Sequence, residues 1–134
     1  MIDKQLKILI KYRLDQSKET LTESEILLKQ SSYRGAINRA YYAMFYSVLA
    51  LLAVKKLGTS KHSGAIGLFD KEYVKEGIFP KELSKSLHIA FDLRQTHDYG
   101  ELIEIDKETV ENVLKDAKLF VKEIESYLIL QEYL

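Results

Sequence analysis

The chain has no cysteine and no tryptophan, and only one proline and six glycines among its 134 residues. The missing cysteines exclude disulfide staples, thiol nucleophiles and cysteine-ligated zinc, and they suit a reducing compartment, so a cytoplasmic location is expected. The scarcity of proline and glycine leaves no low-complexity linker and few interruptions to helices. Long hydrophobic runs are lacking too. The stretch from Ala40 to Val54 has no formal charge, but it is shorter than the ~20 apolar residues that span a bilayer. It also holds Tyr41, Tyr42 and Tyr46, whose hydroxyls seek partners when buried, so it reads as a core helix at a crowded interface and not as a membrane segment. The opening Met1-Ile2-Asp3-Lys4-Gln5 turns polar at once, without the basic start and apolar block of a secretory signal.

An excess of either charge is absent: 20 Lys and Arg balance 20 Asp and Glu. That argues against strong nonspecific nucleic-acid binding, which depends on releasing counterions from many phosphates. The signs are unevenly placed, however. Residues 1–62 carry 11 basic and 5 acidic side chains, and residues 63–134 carry 9 and 15. A local basic face built from the first half is compatible with selective RNA contact.

What is present is a globular composition, 46% hydrophobic and 30% charged, in a length that suits one domain over residues 1–134. Apolar residues recur at three and four, which predicts an all-α fold of five helices. Over about 3–30, Leu6, Ile10, Leu14, Ser17, Leu21, Ser24 and Leu28 form one stripe. A second helix is expected from Ser31-Ser32, acting as caps, to about Leu57, with Gly58 as its stop; it is apolar nearly all round and must be covered on several sides. A third starts at Thr59-Ser60 and ends at Gly77, and a fourth opens at Pro80, buries Leu83, Leu87, Ala90 and Phe91, and ends at Gly100. Asp106 caps a fifth, whose Val110, Val113, Leu114, Ala117, Phe120, Val121, Ile124 and Leu128 keep helical spacing. Short connections make neighbours antiparallel, giving an up-and-down bundle.

Two groups of residues depart from plain helix packing. Asn38, Tyr42 and Phe45 share one face of the second helix. Tyrosines at this spacing serve equally as core and interface anchors. At the end of the fourth helix stands Arg94-Gln95-Thr96-His97-Asp98-Tyr99. Arg94 continues the stripe of Leu83, Leu87 and Ala90, so it is expected to be at least partly buried, where it needs a carboxylate or an anion as partner. His97 and Asp98 lie one turn on, which allows an Arg–Asp pair or an Arg–His couple facing a phosphate. Such a couple is sufficient for metal-free RNA cleavage through the 2′-hydroxyl, and a structural salt bridge explains the same residues. Lys61-His62-Ser63 at a helix start reads as capping or as a weak phosphate site, and His88 carries little signal. Three scattered His make no zinc site, so no metal or other cofactor is expected.

Tyr33-Arg34-Gly35-Ala36-Ile37-Asn38-Arg39-Ala40-Tyr41-Tyr42-Ala43-Met44-Phe45, Lys61-His62-Ser63-Gly64 and Arg94-Gln95-Thr96-His97-Asp98-Tyr99-Gly100 together resemble the HEPN family, in its small stand-alone prokaryotic branch, over about residues 10–130. The resemblance implies a helical bundle that forms a homodimer with facing grooves, and a minimal nucleotidyltransferase as partner in toxin–antitoxin pairs. It also implies, in many members, metal-independent ribonuclease activity from an Arg and a His, followed by a Tyr that the partner modifies with AMP. Carried over, these roles fall on Arg94, His97 and Tyr99, with only Gln95 and Thr96 between the first two, a shorter interval than the family's ribonucleases have. Two functions are therefore expected. One is a dimeric binding module whose groove of Asn38, Tyr42, Arg94 and Asp98 receives nucleotide, RNA or the partner protein. The other is a ribonuclease toxin.

Overall fold

The computed structural model describes residues 3–98 and 105–134, without the side chains of Thr96, His97 and Asp98. Among the described residues there are five α-helices: α1 Lys4–Lys29, α2 Tyr33–Val54, α3 His62–Phe69, α4 Lys81–Asp98 and α5 Lys107–Leu130; a π-helical turn, Asp70–Val74, extends α3. The molecule is the expected all-α antiparallel bundle, with four long helices and α3 as a short arm. Among the described residues there is no strand.

α2 is the central element and packs against α1, α3, α4 and α5. By length and composition it is the one helix among the described residues apolar enough to cross a membrane, yet most of its apolar window lies inside the bundle. None of the large hydrophobic side chains that remain exposed belongs to α2. The chain itself covers this helix, and the exposed apolar residues sit on other elements, among them Ile8, Leu9 and Tyr12 of α1, Ile89 of α4, and Leu119, Ile129 and Leu130 of α5.

α1 and α2 are joined by two buried hydrogen bonds from the serines of the α1 stripe. Ser17 Oγ donates to the Ala43 carbonyl at 2.5 Å and Ser24 Oγ to the Ala36 carbonyl at 2.6 Å. As α1 advances by seven residues, α2 retreats by seven, which fixes an antiparallel register. Small residues on both sides of each bond let the two backbones approach closely, and each hydroxyl satisfies itself on a helical carbonyl's second lone pair.

The helix ends differ in detail from the sequence expectation. Ser32 occupies the N-cap of α2 but makes no side-chain cap bond. α2 ends at Val54 rather than near Leu57, and the left-handed residue is Lys56 (φ 57°), not Gly58. Leu57 N donates to Leu52 O and Lys56 N to Ala53 O, a Schellman closure. The same closure ends α1 at Ser31 (φ 58°) and α5 at Glu132 (φ 64°), again without glycine. Gly77 (φ 78°) does serve as expected, closing the π turn. α3 begins at His62, after an unstructured Thr59, whose hydroxyl accepts from Lys61 N. Pro80 stands immediately before α4, and the expected stop at Gly100 lies outside the described residues. Asp106 caps α5 by accepting from Thr109 N at 2.9 Å, and all eight residues of the predicted α5 stripe are buried.

The π turn is bolted to α4. The two oxygens of Asp70 take Ser84 Oγ at 2.6 Å and His88 Nε2 at 2.8 Å, which gives His88 a structural partner.

Candidate functional site

Arg94 lies in the last part of α4, partly buried, and reaches α2, where Nη2 donates to the Tyr42 hydroxyl at 3.1 Å. Its guanidinium carbon is 5.2 Å from the centre of the Tyr42 ring and 5.6 Å from that of Tyr41. The charge therefore rests beside two aromatic rings and a phenol, an arrangement that stabilises and orients a cation. Tyr42 meets a second guanidinium as well, since Arg39 Cζ lies 5.0 Å from its ring centre.

The structure adds a residue that carries little signal in the sequence pattern. His62, the first residue of α3, turns back onto α2, where its Nδ1 is 2.8 Å from the Tyr41 hydroxyl. Its ring stacks on Phe45, with centroids 4.1 Å apart and planes 2° from parallel, and meets Tyr42 edge-on at 5.5 Å. Burial first, and then the Arg94 charge, hold the His62 imidazole below its ordinary basicity, so it is neutral at physiological pH. Burial pushes the Tyr41 phenol up, far enough that it keeps its proton.

Asn38 is on the same face of α2, but its Oδ1 accepts from Arg39 Nε at 3.3 Å and Nη2 at 2.9 Å, so it connects to Tyr42 through Arg39. The structure thus brings together Arg94, Tyr42, Tyr41, Phe45 and His62, with Asn38 one step removed. The side chains of His97 and Asp98, and the whole of Tyr99, lie outside the described residues. Among the described residues no three His, Asp or Glu gather as a metal site requires.

An apolar cleft of about 460 Å³ elsewhere, between the start of α1 and the end of α5, lacks this convergence of polar groups. Of its lysines, Lys11 is paired with Asp15 and Lys18 with Glu125.

The family model for the HEPN domain matches residues 10–127. The chain belongs to the HEPN family. A UPF0332 protein of Thermotoga maritima is 42% identical over 120 residues, which is 90% of this chain and 91% of that one. Two proteins of Methanocaldococcus jannaschii, each named "Putative toxin", are 38% identical over 87% of this chain and 79% of theirs, and 32% identical over 96% and 95%. A HEPN-type, toxin-related protein is the coarse identity these likenesses support. It accords with the all-α bundle and with an arginine turned inward at the end of α4.

Proposed function

We propose that this HEPN protein is the cytoplasmic, homodimeric half of a toxin–antitoxin-like pair with a minimal nucleotidyltransferase, and that its Arg94 groove receives the phosphate of a nucleotide or an RNA. The observation that carries this reading is the setting of Arg94. A guanidinium that donates to the Tyr42 hydroxyl and lies beside the Tyr41 and Tyr42 rings is oriented and partly desolvated, and such a cation, alongside its other contacts, strengthens the local attraction for a phosphate. The partly exposed Tyr42 beside it supplies a ring against which a base can stack. The exposed apolar residues of α1 are available to a second copy.

Binding of fluorescent ATP and of a short labelled RNA by wild type and by Arg94→Met tests the groove. The expected result is loss of binding in the variant; equal binding by both proteins overturns the reading. Sedimentation at micromolar concentration should give twice the 15.5 kDa chain mass. Co-expression with a minimal nucleotidyltransferase should give a co-purifying complex.

The two archaeal relatives named as toxins favour a toxin role, and the ribonuclease chemistry that the family resemblance implies gives a second reading of it. In it Arg94 stabilises the phosphorane charge, His97 moves the proton, and Tyr99 is the modification site. Cleavage of RNA in chelator, abolished by Arg94→Ala and by His97→Ala, supports it; intact RNA with wild type removes it.

A further inference from the structure

An outward stripe of α1 is complementary to its own reverse. Leu9, Tyr12, Gln16, Glu19, Glu23 and Ile26 recur at alternating intervals of three and four, the spacing by which helices pair along a seam, and all are exposed except the half-buried Gln16. Its apolar members are left open by their own chain, with Leu9, Tyr12 and Ile26 at 42%, 59% and 50% exposure. Positions 9 and 26, 12 and 23, and 16 and 19 are each equidistant from the point between Ser17 and Lys18. A second α1 laid antiparallel across that point therefore sets Leu9 against Ile26, the Tyr12 phenol against the Glu23 carboxylate and the Gln16 amide against the Glu19 carboxylate. Apolar meets apolar and donor meets acceptor, and twofold symmetry makes each contact twice. A parallel pairing sets Glu19 on Glu19 and Glu23 on Glu23, like charge on like. Charge along the helix sorts in the same sense. Residues 4–16 hold Lys4, Lys7, Lys11 and Arg13 against Asp15, whereas residues 17–29 hold Glu19, Glu23 and Glu25 against Lys18 and Lys29.

We propose that α1 is the dimerising helix, and that two copies of this chain pair along it antiparallel, about a twofold axis between residues 17 and 18. The proposal rests on the homodimer reading above and gives that dimer a face, a direction and a register. Two recesses flank the stripe, one toward each end. The first, of about 410 Å³, is lined in part by Leu9, Arg13 and Leu49, and the second, of about 360 Å³, by Glu23, Ile26, Leu27 and Arg39. The twofold brings the Ile26 end of each copy to the first recess of the other, and the Leu9 end to the second. Glu23 is also ion-paired to Arg39 at 3.6 Å, and the Arg39 guanidinium lies against the Tyr42 ring. Tyr12 of the partner subunit, meeting Glu23, thus arrives at the edge of the groove that Tyr42 lines.

The chain has no cysteine, so single cysteines report on this pairing without background. Full-length Leu9→Cys and Ile26→Cys are mixed, left to exchange subunits and treated with a short bismaleimide; each is also treated alone. The mixture should give a cross-linked dimer. Either protein alone should not, because in the antiparallel register the two copies of residue 9 lie about 25 Å apart along the axis, at 1.5 Å per residue, and so do those of residue 26. In sedimentation, Leu9→Asp should raise the dimer dissociation constant about a hundredfold, since symmetry removes the apolar contact twice. Ile129→Asp, in the cleft between α1 and α5, should sediment as wild type does. A wild-type monomer at micromolar concentration overturns both this proposal and the homodimer reading. A wild-type dimer overturns the α1 pairing alone, and leaves the homodimer reading standing, if the mixture fails to cross-link, if either cysteine protein cross-links by itself, if Leu9→Asp still dimerises as wild type does, or if Ile129→Asp is the variant that dissociates. Should Leu9→Asp fail to fold, the cross-links decide.

Discussion

Arg94 Nη2 and the Tyr42 hydroxyl, 52 residues apart in sequence, meet at 3.1 Å and tie the end of α4 to the middle of α2. Tyr42→Phe removes the acceptor and keeps the ring beneath the guanidinium. Stability in urea should fall by about 1.5 kcal/mol, at the upper end of the range for ordinary hydrogen bonds because the donor is charged. An unchanged urea midpoint would show that the ring alone holds Arg94.

The two serine bonds between α1 and α2 should each matter to a similar degree. Ser17→Ala and Ser24→Ala each delete one buried donor, whose acceptor keeps its own helical partner. Each should cost about 1 kcal/mol, and the double variant should lose nearly the sum, because the sites are two helical turns apart and share no partner. Ser17→Leu should be worse than alanine, since the added volume enters a place where two helix backbones approach closely.

Three helix ends hold a side-chain-bearing residue in the left-handed region. That conformation disfavours residues with a Cβ by roughly 1–2 kcal/mol, partly offset by the extra freedom glycine has in the unfolded chain. Lys56→Gly and Ser31→Gly should therefore each stabilise the protein by about 0.5 to 1 kcal/mol, read as a rise in the denaturation midpoint, while Gly77→Ala should destabilise it. A loss of stability in Lys56→Gly would mean that the lysine side chain contributes something beyond the backbone turn.

His62 should titrate below 6.5, its ordinary value, because it is partly desolvated and faces the Arg94 charge. With the folded value depressed, the folded state takes up this proton less readily than the unfolded chain does. Stability tied to His62 is therefore fully present above the unfolded value and is lost as pH falls through it toward the folded one. Arg94→Met removes one of the two causes and should move the His62 midpoint up toward 6.5, followed by the ring carbon shift in NMR. A midpoint that does not move would separate the two groups electrostatically.

Periodicity made most of this architecture legible. The α5 stripe and the inclusion of Ser17 and Ser24 among the inward positions of α1 follow from spacing alone, as does the inward setting of Arg94, which continues Leu83, Leu87 and Ala90. The first helix stops where expected, at Lys29, but the end of α2 was not legible, because glycine marks the left-handed residue by propensity and α2 uses Lys56 instead. His62 was passed over for a related reason. Its contacts are with Tyr41, 21 residues away, and with Phe45, and no local pattern announces a fold-back of that kind. The available signal was the density of aromatic residues at 41, 42 and 45, more than one helix face requires, with a histidine at the head of the next helix.

Asp70 clasps the first half of α4, which also packs against α2 and α5. Its two oxygens grip Ser84 and His88, one turn apart on that helix, and Arg94 lies about 15 Å farther along the axis from Ser84 at 1.5 Å per residue. The clasp and the Arg94–Tyr42 bond therefore pin the same rod at two well-separated points, which resists its rotation against the bundle.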